Sequence, residues 1–312
     1  MKIAIMGSGG VGGYYGARLA STGHDVHFIA RGEHARAMRE RGLRIESGTG
    51  DLELTSVRVA EDPREIGVAE LVVIAVKLWD TEAAARAVVP LVGPSTVVVS
   101  LQNGVEKDDV IASIVGREPL VGGVTWIIAR IAEPGVIAHV GALQRVAIGE
   151  LDGSDSERVA RVVAAFSNAG VNAAASRDIR RATWEKFAFL ASSAAVTAVT
   201  RLTMGAVRSH PATRALLRDA IAETAAVARA EGIAIADGFV DEQMRFVDTL
   251  PPSGRASMAN DLLHGGRLEL DWLSGAVVRR GEAAGVPTPV HRILYATLAP
   301  FANGAPAEGG AS

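Results

Sequence analysis

A glycine-rich run lies between a short apolar strand and a helix at the start of the chain. Residues 1–6 have a strand pattern, and residues 13–20 have a helical pattern. The run between them has the form G-x-G-x-x-G and consists of Gly7, Ser8, Gly9, Gly10, Val11 and Gly12. Here the first glycine permits a tight turn, the second lets a phosphate approach the backbone, and the third brings the helix close to the strand. The run therefore predicts a dinucleotide site, with the pyrophosphate at the amino end of the helix.

The residue after the second predicted strand bears on which dinucleotide binds. That strand covers residues 25–30 and is followed by Arg31, where NAD-binding proteins carry an acidic residue for the ribose 2′-hydroxyl. A guanidinium pairs well with a 2′-phosphate and cannot accept a hydrogen bond from a hydroxyl. We therefore predict NADP(H) as the cofactor. The nearby Glu33 leaves NAD(H) open as the alternative, with Arg31 as an ordinary surface residue.

Composition excludes several kinds of protein. The 312 residues carry a formal net charge of −3, which gives no whole-chain electrostatic reason to expect nucleic acid. The chain has no cysteine, so disulfides, thiol catalysis and thiolate metal sites are excluded, and its histidines show no metal spacing. No signal-peptide pattern and no bilayer-length apolar run is present. We expect a cytoplasmic protein that uses no metal, nucleic acid or membrane partner.

The order of the predicted elements indicates the fold class. Strand-like runs at 68–76 and 95–101 flank a helical run at 80–89, which is typical of βαβ units and a parallel sheet. Short strands follow from residue 120, with turns at Pro134-Gly135 and at Gly141, and predict an antiparallel extension. A helix at 157–168 and a strand at 170–175 come next. The predicted class is α/β, with an N-terminal Rossmann-type doubly wound sheet followed by an all-helical C-terminal domain.

Beyond residue 178 only helices are predicted. Their ranges are 180–199, 211–231, 239–248, 256–263, 269–284 and 290–302. We therefore predict an NADP-binding domain over 1–178 and a helical substrate and catalytic domain over 179–302. Residues 303–312 consist mainly of Gly, Ala and Pro and are predicted to be a disordered tail.

Three polar residues lie where a dinucleotide fold places chemistry. Lys77 and Asn103 each follow a predicted parallel strand, and the carboxyl ends of such strands face the ligand crevice. An exposed cation and an Asn-Gly turn are the alternatives. Lys186 precedes an all-apolar stretch of a helix, so partial desolvation should lower its pKa and make it a general acid near neutral pH. A lysine whose head reaches solvent from the edge of a buried helix is the alternative.

The order of these motifs resembles that of the ketopantoate reductase (2-dehydropantoate 2-reductase) family. The resemblance rests on the glycine run, Ala75-Val76-Lys77, Gln102-Asn103-Gly104, Trp184-Glu185-Lys186, and the spacing of Ser257 and Glu269, and it extends from residue 1 to about 301. It implies a Rossmann domain and a helical domain with the active site in the cleft between them. It also implies reduction of a 2-oxo acid with NADPH.

The resemblance also implies roles for single residues. Lys186 takes the position of the proton donor, and Glu269 that of an acidic residue near the cofactor and this lysine. Lys77 and Asn103 take cofactor-binding positions, with Asn103 also touching substrate, and Ser257 supplies a substrate-binding hydroxyl. Helix caps or first-turn charges are the alternative roles for Ser257 and Glu269.

The chain departs from the family in its substrate positions. Ketopantoate-specific members carry Asn four and eight residues after the lysine, where this chain has Leu190 and Ala194, and a third Asn aligns with Met204. Leu190 and Ala194 therefore predict an apolar substrate-binding wall and a substrate less polar than ketopantoate, with ketopantoate itself as the alternative. Other polar residues near this wall are Ser192, Ser193, Thr197, Thr200 and Arg201. Arg201 could hold a carboxylate or simply end the helix.

The function predicted is NADPH-dependent reduction of a 2-oxo acid or related ketone, similar to that of 2-dehydropantoate 2-reductase. One alternative is a non-catalytic NADP(H)-sensing protein, against which a retained proton donor argues. The other is a 3-hydroxy-acid-type dehydrogenase, although such enzymes place their lysine in a different local motif. The sequence does not settle the oligomeric state, and a homodimer stays open.

Overall fold

A computed structural model describes residues 1–305, which divide into two compact units. The first unit holds residues 1–103 and 107–182, and the second holds residues 104–106 and the described residues from 183 onward. The predicted boundary at 178/179 lies where the first long helix of the second half begins, four residues before the change of unit. Within residues 1–305 no helix is both long and apolar enough to cross a bilayer.

The first unit is built on a mixed sheet flanked by helices. Its strands are β1 (Lys2–Met6), β2 (Asp25–Ile29), β3 (Leu43–Ser47), β4 (Leu52–Leu54), β5 (Arg58–Ala60), β6 (Leu71–Ile74), β7 (Val97–Ser100), β8 (Leu120–Glu133), β9 (Val136–Gly149) and β10 (Asn172–Ala175). Its helices are α1 (Gly10–Ala20), α2 (Gly32–Arg41), α3 (Thr81–Val88), α4 (Lys107–Val115) and α5 (Glu157–Asn168). Short 3-10 turns cover Pro63–Glu65, Leu78–Asp80 and Val89–Leu91.

The strand order is that of a doubly wound dinucleotide-binding fold. Parallel strands run β5-β2-β1-β6-β7-β8, so the order of the chain reverses beside β1. Ligands bind such sheets beyond the carboxyl ends of the strands at this reversal, which is where the glycine run lies. β9 pairs antiparallel with β8, and the β3–β4 hairpin and β10 also pair with β9. The predicted Rossmann-type sheet with an antiparallel extension is confirmed.

The two faces of the sheet are each covered by helices. Ile3 and Ile5 of β1 belong to an apolar cluster that includes Tyr15 of α1. Ala4 and Met6, on the alternate positions, belong to another cluster that includes residues of α3. Side chains alternate between the faces of a strand, so both faces of β1 are buried. This burial explains the continuous apolar runs of the central strands.

One predicted turn is wrong. Gly135 does form the β8–β9 turn, with a φ of +86°, but Gly141 lies inside β9 although its φ is +77°. The β8–β9 pairing changes register between Ile127 and Ala129 on the facing strand. A glycine can absorb such an irregularity without ending the strand, because it adopts positive φ at little cost. The sequence signal for a turn and for an irregular strand is therefore the same.

The second unit is all-helical in its described part, as predicted. Its helices are α6 (Ile179–Thr200), whose first turn belongs to the first unit, α7 (Met204–Ser209), α8 (Pro211–Ala230), α9 (Phe239–Thr249), α10 (Ser257–Leu263), α11 (Ser274–Ala284) and α12 (Pro289–Leu298). The prediction of one helix over 269–284 is wrong. A 3-10 turn at Leu270–Trp272 comes first, and Leu273, with φ −103° and ψ −96°, separates it from α11.

The predicted disordered tail begins with an ordered turn. The amide of Gly304 donates to the carbonyl of Phe301, which ends a 3-10 turn over Ala299–Phe301. Residues 306–312 of that predicted tail lie outside the described residues. Residues 303–305, which were predicted to belong to the tail, are therefore described by the structure.

Candidate active site

The glycine run forms a loop that is hydrogen-bonded to the last residue of β2. The amides of Gly7 and Ser8 both donate to the carbonyl of Ile29 at 3.3 Å, and the Ser8 hydroxyl donates to the same oxygen at 3.1 Å. Gly7 has a φ of +96°, which an L side chain rarely adopts. The loop therefore turns sharply from β1 into α1 and has a fixed backbone path.

The glycines of this loop differ in what surrounds them. A Cβ at Gly12 would lie 2.1 Å from the Gly7 carbonyl oxygen, so this glycine allows α1 to pack on the strand. A Cβ at Gly9 would meet no atom within 4 Å among the described residues. Gly9 is also the N-cap of α1, whose first turn carries no acidic side chain. The loop thus fits a dinucleotide pyrophosphate, since amides and open space meet at a helix amino end.

Arg31 lies at the position predicted to choose between NADP(H) and NAD(H). It is the N-cap residue of α2 and is exposed. Glu33, the acidic residue that complicated the prediction, lies 3.8 Å from the guanidinium of Arg36. Within residues 1–305 Arg31 makes no ion pair. Its guanidinium is therefore exposed to solvent beside the amino end of α2.

The ends of β6 and β7 are tied together by a side chain to which sequence reasoning gave no role. Gln102 is buried, and its Nε2 donates to the Val76 carbonyl at 3.0 Å and to the Thr81 hydroxyl at 2.8 Å. Its Oε1 accepts from the hydroxyl of Ser100 at 3.0 Å. The sequence shows an amide beside Asn103, but it shows neither the burial nor the partners that give Gln102 this role. Gln102 holds the two strand ends that carry Lys77 and Asn103.

The two strand-end residues are accessible to different degrees. Lys77 is exposed, with its Nζ 5.6 Å from the ring centroid of Trp79, and Asn103 is half-buried. Lys107 lies four residues after Asn103, and its side chain is only 1% exposed. The Lys107 ammonium donates to the carbonyls of Ser100 and Gly123. A buried cation thus fixes the base of the segment in which Asn103 lies, and sequence reasoning missed it.

In the second unit, the start of α6 is anchored by Trp184. This buried indole packs edge to face with Phe187 at 5.6 Å, and the Arg280 guanidinium lies 5.5 Å from its ring centroid. Arg280 also forms an ion pair with Glu231. These contacts fix the rotation of the helix in the turn that carries the half-buried Lys186. Of the stretch at 187–191, which is apolar all round in the sequence, Phe187, Ala188 and Ala191 are buried, whereas Phe189 and Leu190 are half-buried.

The side chains of Glu269 and Ser257 do not cap helices, although Glu269 occupies the N-cap position of a 3-10 turn. The Glu269 side chain makes no capping hydrogen bond to the turn at Leu270–Trp272, although the residue is only 6% exposed. The cap position of α10 is occupied by Ala256, and Ser257 is the first residue of the helix and is exposed. A buried carboxylate has to be compensated by partners, and for Glu269 these are not the backbone amides of this turn.

The predicted apolar wall is partly core. Leu190 is half-buried, whereas Ala194 is 1% exposed and Met204 is 4% exposed, and both belong to the apolar cluster of the helical unit. Residues four apart share a helix face, so Lys186, Leu190 and Ala194 are aligned along α6. Leu190 is therefore the more accessible of the two wall residues.

The hydroxyls near this wall are occupied by the helix itself. The pairs, with their oxygen–oxygen distances, are Ser192 to Ala188 at 2.7 Å, Ser193 to Leu190 at 3.3 Å, Thr197 to Ser193 at 2.6 Å and Thr200 to Val196 at 2.7 Å. Each hydroxyl donates its proton to a carbonyl of the preceding turn. Their protons are therefore engaged within the helix, and Ser192, Ser193 and Thr197 are in addition buried.

Arg201 ends α6. It follows Thr200, the last helical residue, and its φ of +58° is the left-handed conformation that terminates helices. At 1.5 Å per residue, its Cα lies about 22 Å along the helix axis from that of Lys186. That separation favours the helix-ending role over contact with a substrate at Lys186. Within residues 1–305 no cluster of His, Asp and Glu is suited to a metal ion.

Comparison with known proteins assigns the family. The profile of ketopantoate reductase PanE/ApbA matches residues 3–153, and that of the ketopantoate reductase PanE/ApbA C-terminal domain matches residues 178–302. The chain belongs to the ketopantoate reductase family. Ketopantoate reductases are oxidoreductases that act on CH–OH groups with a nicotinamide dinucleotide.

Individual relatives of this ketopantoate reductase family agree over nearly the whole length. A 2-dehydropantoate 2-reductase of Halobacterium salinarum is 35% identical over 295 residues, which cover 94% of this chain and 96% of the relative. The crystal structure of a PanE/ApbA family ketopantoate reductase from Ralstonia eutropha has a TM-score of 0.89 and 37% identity, with 97% and 98% of the two chains covered.

A more distant structure shares the fold. D-mandelate dehydrogenase, solved with NADH and anilino(oxo)acetate, gives a TM-score of 0.88 at 24% identity, covering 97% of this chain and 98% of its own. This likeness concerns architecture alone. The predicted family, fold and 2-dehydropantoate 2-reductase-like activity are confirmed by the nearer relatives.

Proposed function

We propose that this protein reduces a 2-oxo acid with an apolar tail and uses NADPH rather than NADH. The observation that carries the proposal is the pair of residues that α6 has at positions 186 and 190. Lys186 fills the position of the family's proton donor, while Leu190, one turn on, presents a hydrocarbon side chain where ketopantoate-specific relatives carry an amide. We therefore infer that the reaction is that of the family, and that the substrate differs in the group next to its carbonyl, which contacts Leu190.

The first unit supplies the residues that would hold the cofactor. The amides of the glycine loop and of the first turn of α1 bind the pyrophosphate, and Arg31 binds the 2′-phosphate. Lys77 and Asn103, at the ends of neighbouring strands, bind the nicotinamide half. When bound, the cofactor supplies the hydride that reduces the carbonyl carbon.

The second unit supplies the proton. The ammonium of Lys186 donates a proton to the substrate oxygen as negative charge develops there, and the lysine is left neutral. The carboxylate of Glu269 supports the charged form of Lys186 before that transfer, since an opposite charge favours ionisation. Asn103 and Ser257 hydrogen-bond the substrate and orient its carbonyl.

The cofactor preference rests on the two charges near the end of β2. Glu33, which would have to accept from a 2′-hydroxyl, lies beside Arg36 instead. Arg31 is exposed at the N-cap of α2, so a phosphate can reach both its guanidinium and the helix amino end. These features support NADPH over NADH.

The substrate preference rests on what surrounds the hydrocarbon of Leu190. The neighbouring hydroxyls on α6 donate to helix carbonyls, and Arg201 is far along the helix. A substrate hydroxyl placed against Leu190 would lose its water without gaining a partner. An unpaired buried hydroxyl costs about 1–3 kcal/mol.

One experiment tests both preferences. Ketopantoate and 3,3-dimethyl-2-oxobutanoate differ only by a hydroxyl, so the ratio of their kcat/KM values measures the effect of that group. We expect the analogue without the hydroxyl to be preferred about tenfold or more, and NADPH to be preferred to NADH. Preference for ketopantoate would contradict the substrate proposal. Dinucleotide binding without turnover of any 2-oxo acid would favour the sensing alternative.

A further inference from the structure

His34 bridges two segments of the first unit that are distant in sequence. Its Nε2 lies 2.9 Å from the carbonyl oxygen of Ser8, in the glycine loop. Its Nδ1 accepts from the amide of Gly135 at 3.1 Å, in the β8–β9 turn. The amide at 135 has a proton to give and the carbonyl of Ser8 has none, so both bonds form only when the ring carries its proton on Nε2.

The bond to Ser8 fixes the orientation of the next peptide group. Among the described residues all peptide bonds are trans, so the Ser8 carbonyl and the Gly9 amide point in opposite directions from one rigid plane. Anchoring the carbonyl on His34 therefore fixes the direction of the Gly9 N–H. Gly9 is the N-cap of α1 and the glycine with open space beside it.

The other end of the bridge is itself anchored. The Gly135 carbonyl accepts from the amide of Arg44 at 2.9 Å, and the Pro134 carbonyl accepts from Arg41 at 3.2 Å. The turn is therefore held by α2 and β3 and can serve as a fixed support. Burial lowers the pKa of His34, which favours the uncharged ring that this pair of bonds requires.

We propose that His34 is a positioning residue for the pyrophosphate of the cofactor, because it holds the Ser8–Gly9 peptide in the orientation that presents the Gly9 amide. The inference rests on the proposed function, since it takes NADPH as the ligand of the glycine loop. His34 touches neither substrate nor the reacting atoms in this role. Its replacement should therefore raise the Kd for NADPH and leave kcat at saturating NADPH unchanged within about twofold.

A pair of amide variants separates the two bonds. The terminal amide of Gln reaches the place of Nε2, so His34→Gln keeps the donor to Ser8. The Asn oxygen occupies the place of Nδ1, so His34→Asn keeps only the bond to Gly135. By fluorescence titration we expect the Kd for NADPH to rise about tenfold in His34→Ala and His34→Asn, and less than about threefold in His34→Gln. His24→Ala, at the opposite end of β1, is the matched control and should leave the Kd unchanged.

The tautomer provides a readout that needs no cofactor. A long-range proton–nitrogen NMR spectrum of the wild-type protein at pH 7 should show His34 protonated on Nε2 alone. A proton on Nδ1 would overturn the inference, even if His34→Ala fails to fold. Equal Kd values for wild type, His34→Gln and His34→Asn would also overturn it and leave the proposed function standing. Failure of wild type to bind either dinucleotide would instead count against the proposed function.

Discussion

A Cβ at Gly10 would lie 2.2 Å from the carbonyl oxygen of Ala129, so the start of α1 and the middle of β8 are in direct backbone contact. The preceding glycine, Gly9, has open space at the same position. Two adjacent glycines of one motif therefore have different structural roles. Gly10 is needed for the packing of α1 on β8, whereas Gly9 leaves open space at the amino end of α1.

This contrast yields a prediction from one added methyl group. Gly10→Ala should lower the free energy of unfolding by about 1–3 kcal/mol, because β8 would have to move. Gly9→Ala should leave it within about 0.5 kcal/mol, since Gly9 has a φ of −73° that alanine adopts readily. The Kd for NADPH should nevertheless rise more than about tenfold in Gly9→Ala. Urea unfolding and cofactor titration of both variants test this prediction. Equal losses in the free energy of unfolding would show that Gly9 and Gly10 do not differ in their structural roles.

Replacing Arg31 should affect one cofactor only. Arg31→Ala should raise the Kd for NADPH about tenfold to a hundredfold, because a charge-assisted bond to phosphate is worth about 1.5–3 kcal/mol. The Kd for NADH should stay within about twofold. Arg36→Ala is the matched control, since Arg36 is also an exposed arginine of α2 but already lies beside Glu33. A wild-type preference for NADH, or equal losses for both cofactors, would show that Arg31 does not select the cofactor.

Lys186→Ala should abolish most of the chemistry while leaving cofactor binding intact. A positioned general acid contributes about 10²–10⁴-fold to the rate, so single-turnover reduction should slow by that factor. The Kd for NADPH should change little, because the glycine loop and Arg31 belong to the other unit. Arg180→Ala, six residues earlier on α6, should keep the wild-type rate. If Lys186→Ala reduced substrate at that rate too, Lys186 would have a structural role.

Leu190 should control the choice between two substrates that differ by one hydroxyl. Leu190→Asn restores an amide one turn beyond Lys186, so the ratio of kcat/KM for ketopantoate over 3,3-dimethyl-2-oxobutanoate should rise about tenfold. Adding Ala194→Asn should raise it further but also destabilise the protein, because Ala194 is 1% exposed within the apolar cluster. An unchanged ratio in a folded Leu190→Asn variant would mean that this side chain does not meet the substrate.

Stability at acid pH should depend on His291, which is fully buried in the helical unit. Its Nε2 lies 3.0 Å from the Ala220 carbonyl and 2.9 Å from the Thr224 hydroxyl, and burial lowers its pKa to about 4. Above pH 6.5 neither state binds the proton. As the pH falls from 6.5 toward 4 the unfolded chain takes it up and the folded chain does not, so the free energy of unfolding should drop by up to about 3 kcal/mol.

The measurement is urea unfolding at pH 7.5, 6 and 5 for wild type and His291→Gln. The variant loses stability at every pH because it disturbs a buried hydrogen-bonded site, but its stability should depend less steeply on pH. His24 and His34, whose pKa values burial also lowers, contribute equally to both proteins. If the free energy of unfolding changed equally with pH in both proteins, the pKa of His291 would not differ between the folded and the unfolded state, and the prediction would be wrong.

The sequence predicts the features that repeat or that occupy fixed places in a motif. The helix over Glu157–Asn168 and the alternation of strands and helices follow from periodicity, and the strand ends at Lys77 and Asn103 follow from the fold class. The sequence does not reveal the break at Leu273, because an apolar residue in a helical pattern carries no signal for a change of backbone direction. It also does not reveal that Gly10 meets Ala129, because that contact depends on how β8 crosses α1.

The same limit applies to the candidate site. The glycine run, Arg31 and Lys186 can be identified in the sequence because each has a characteristic residue type at a fixed position in a motif. Gln102 and His34 act through hydrogen bonds to backbone atoms far along the chain, and such partners leave no mark in a pattern. Their roles emerge only when both ends of each bond are located.

The position of β3 in the sheet has a consequence for the order in which the protein can be made. In the chain, β3 and β4 lie between β2 and β5. In the sheet they lie at the opposite edge from these two strands, where Arg44 of β3 pairs with Val136 of β9. A growing polypeptide that has emerged from the ribosome as far as β7 therefore has a β3–β4 hairpin with no strand to join. Leu43 and Ile45 share their apolar cluster with Ile137 and Ile148 of β9. Their burial therefore stays incomplete until the β8–β9 hairpin is synthesised, and an unpaired strand edge with partly exposed apolar side chains makes the nascent first unit prone to aggregation for that interval.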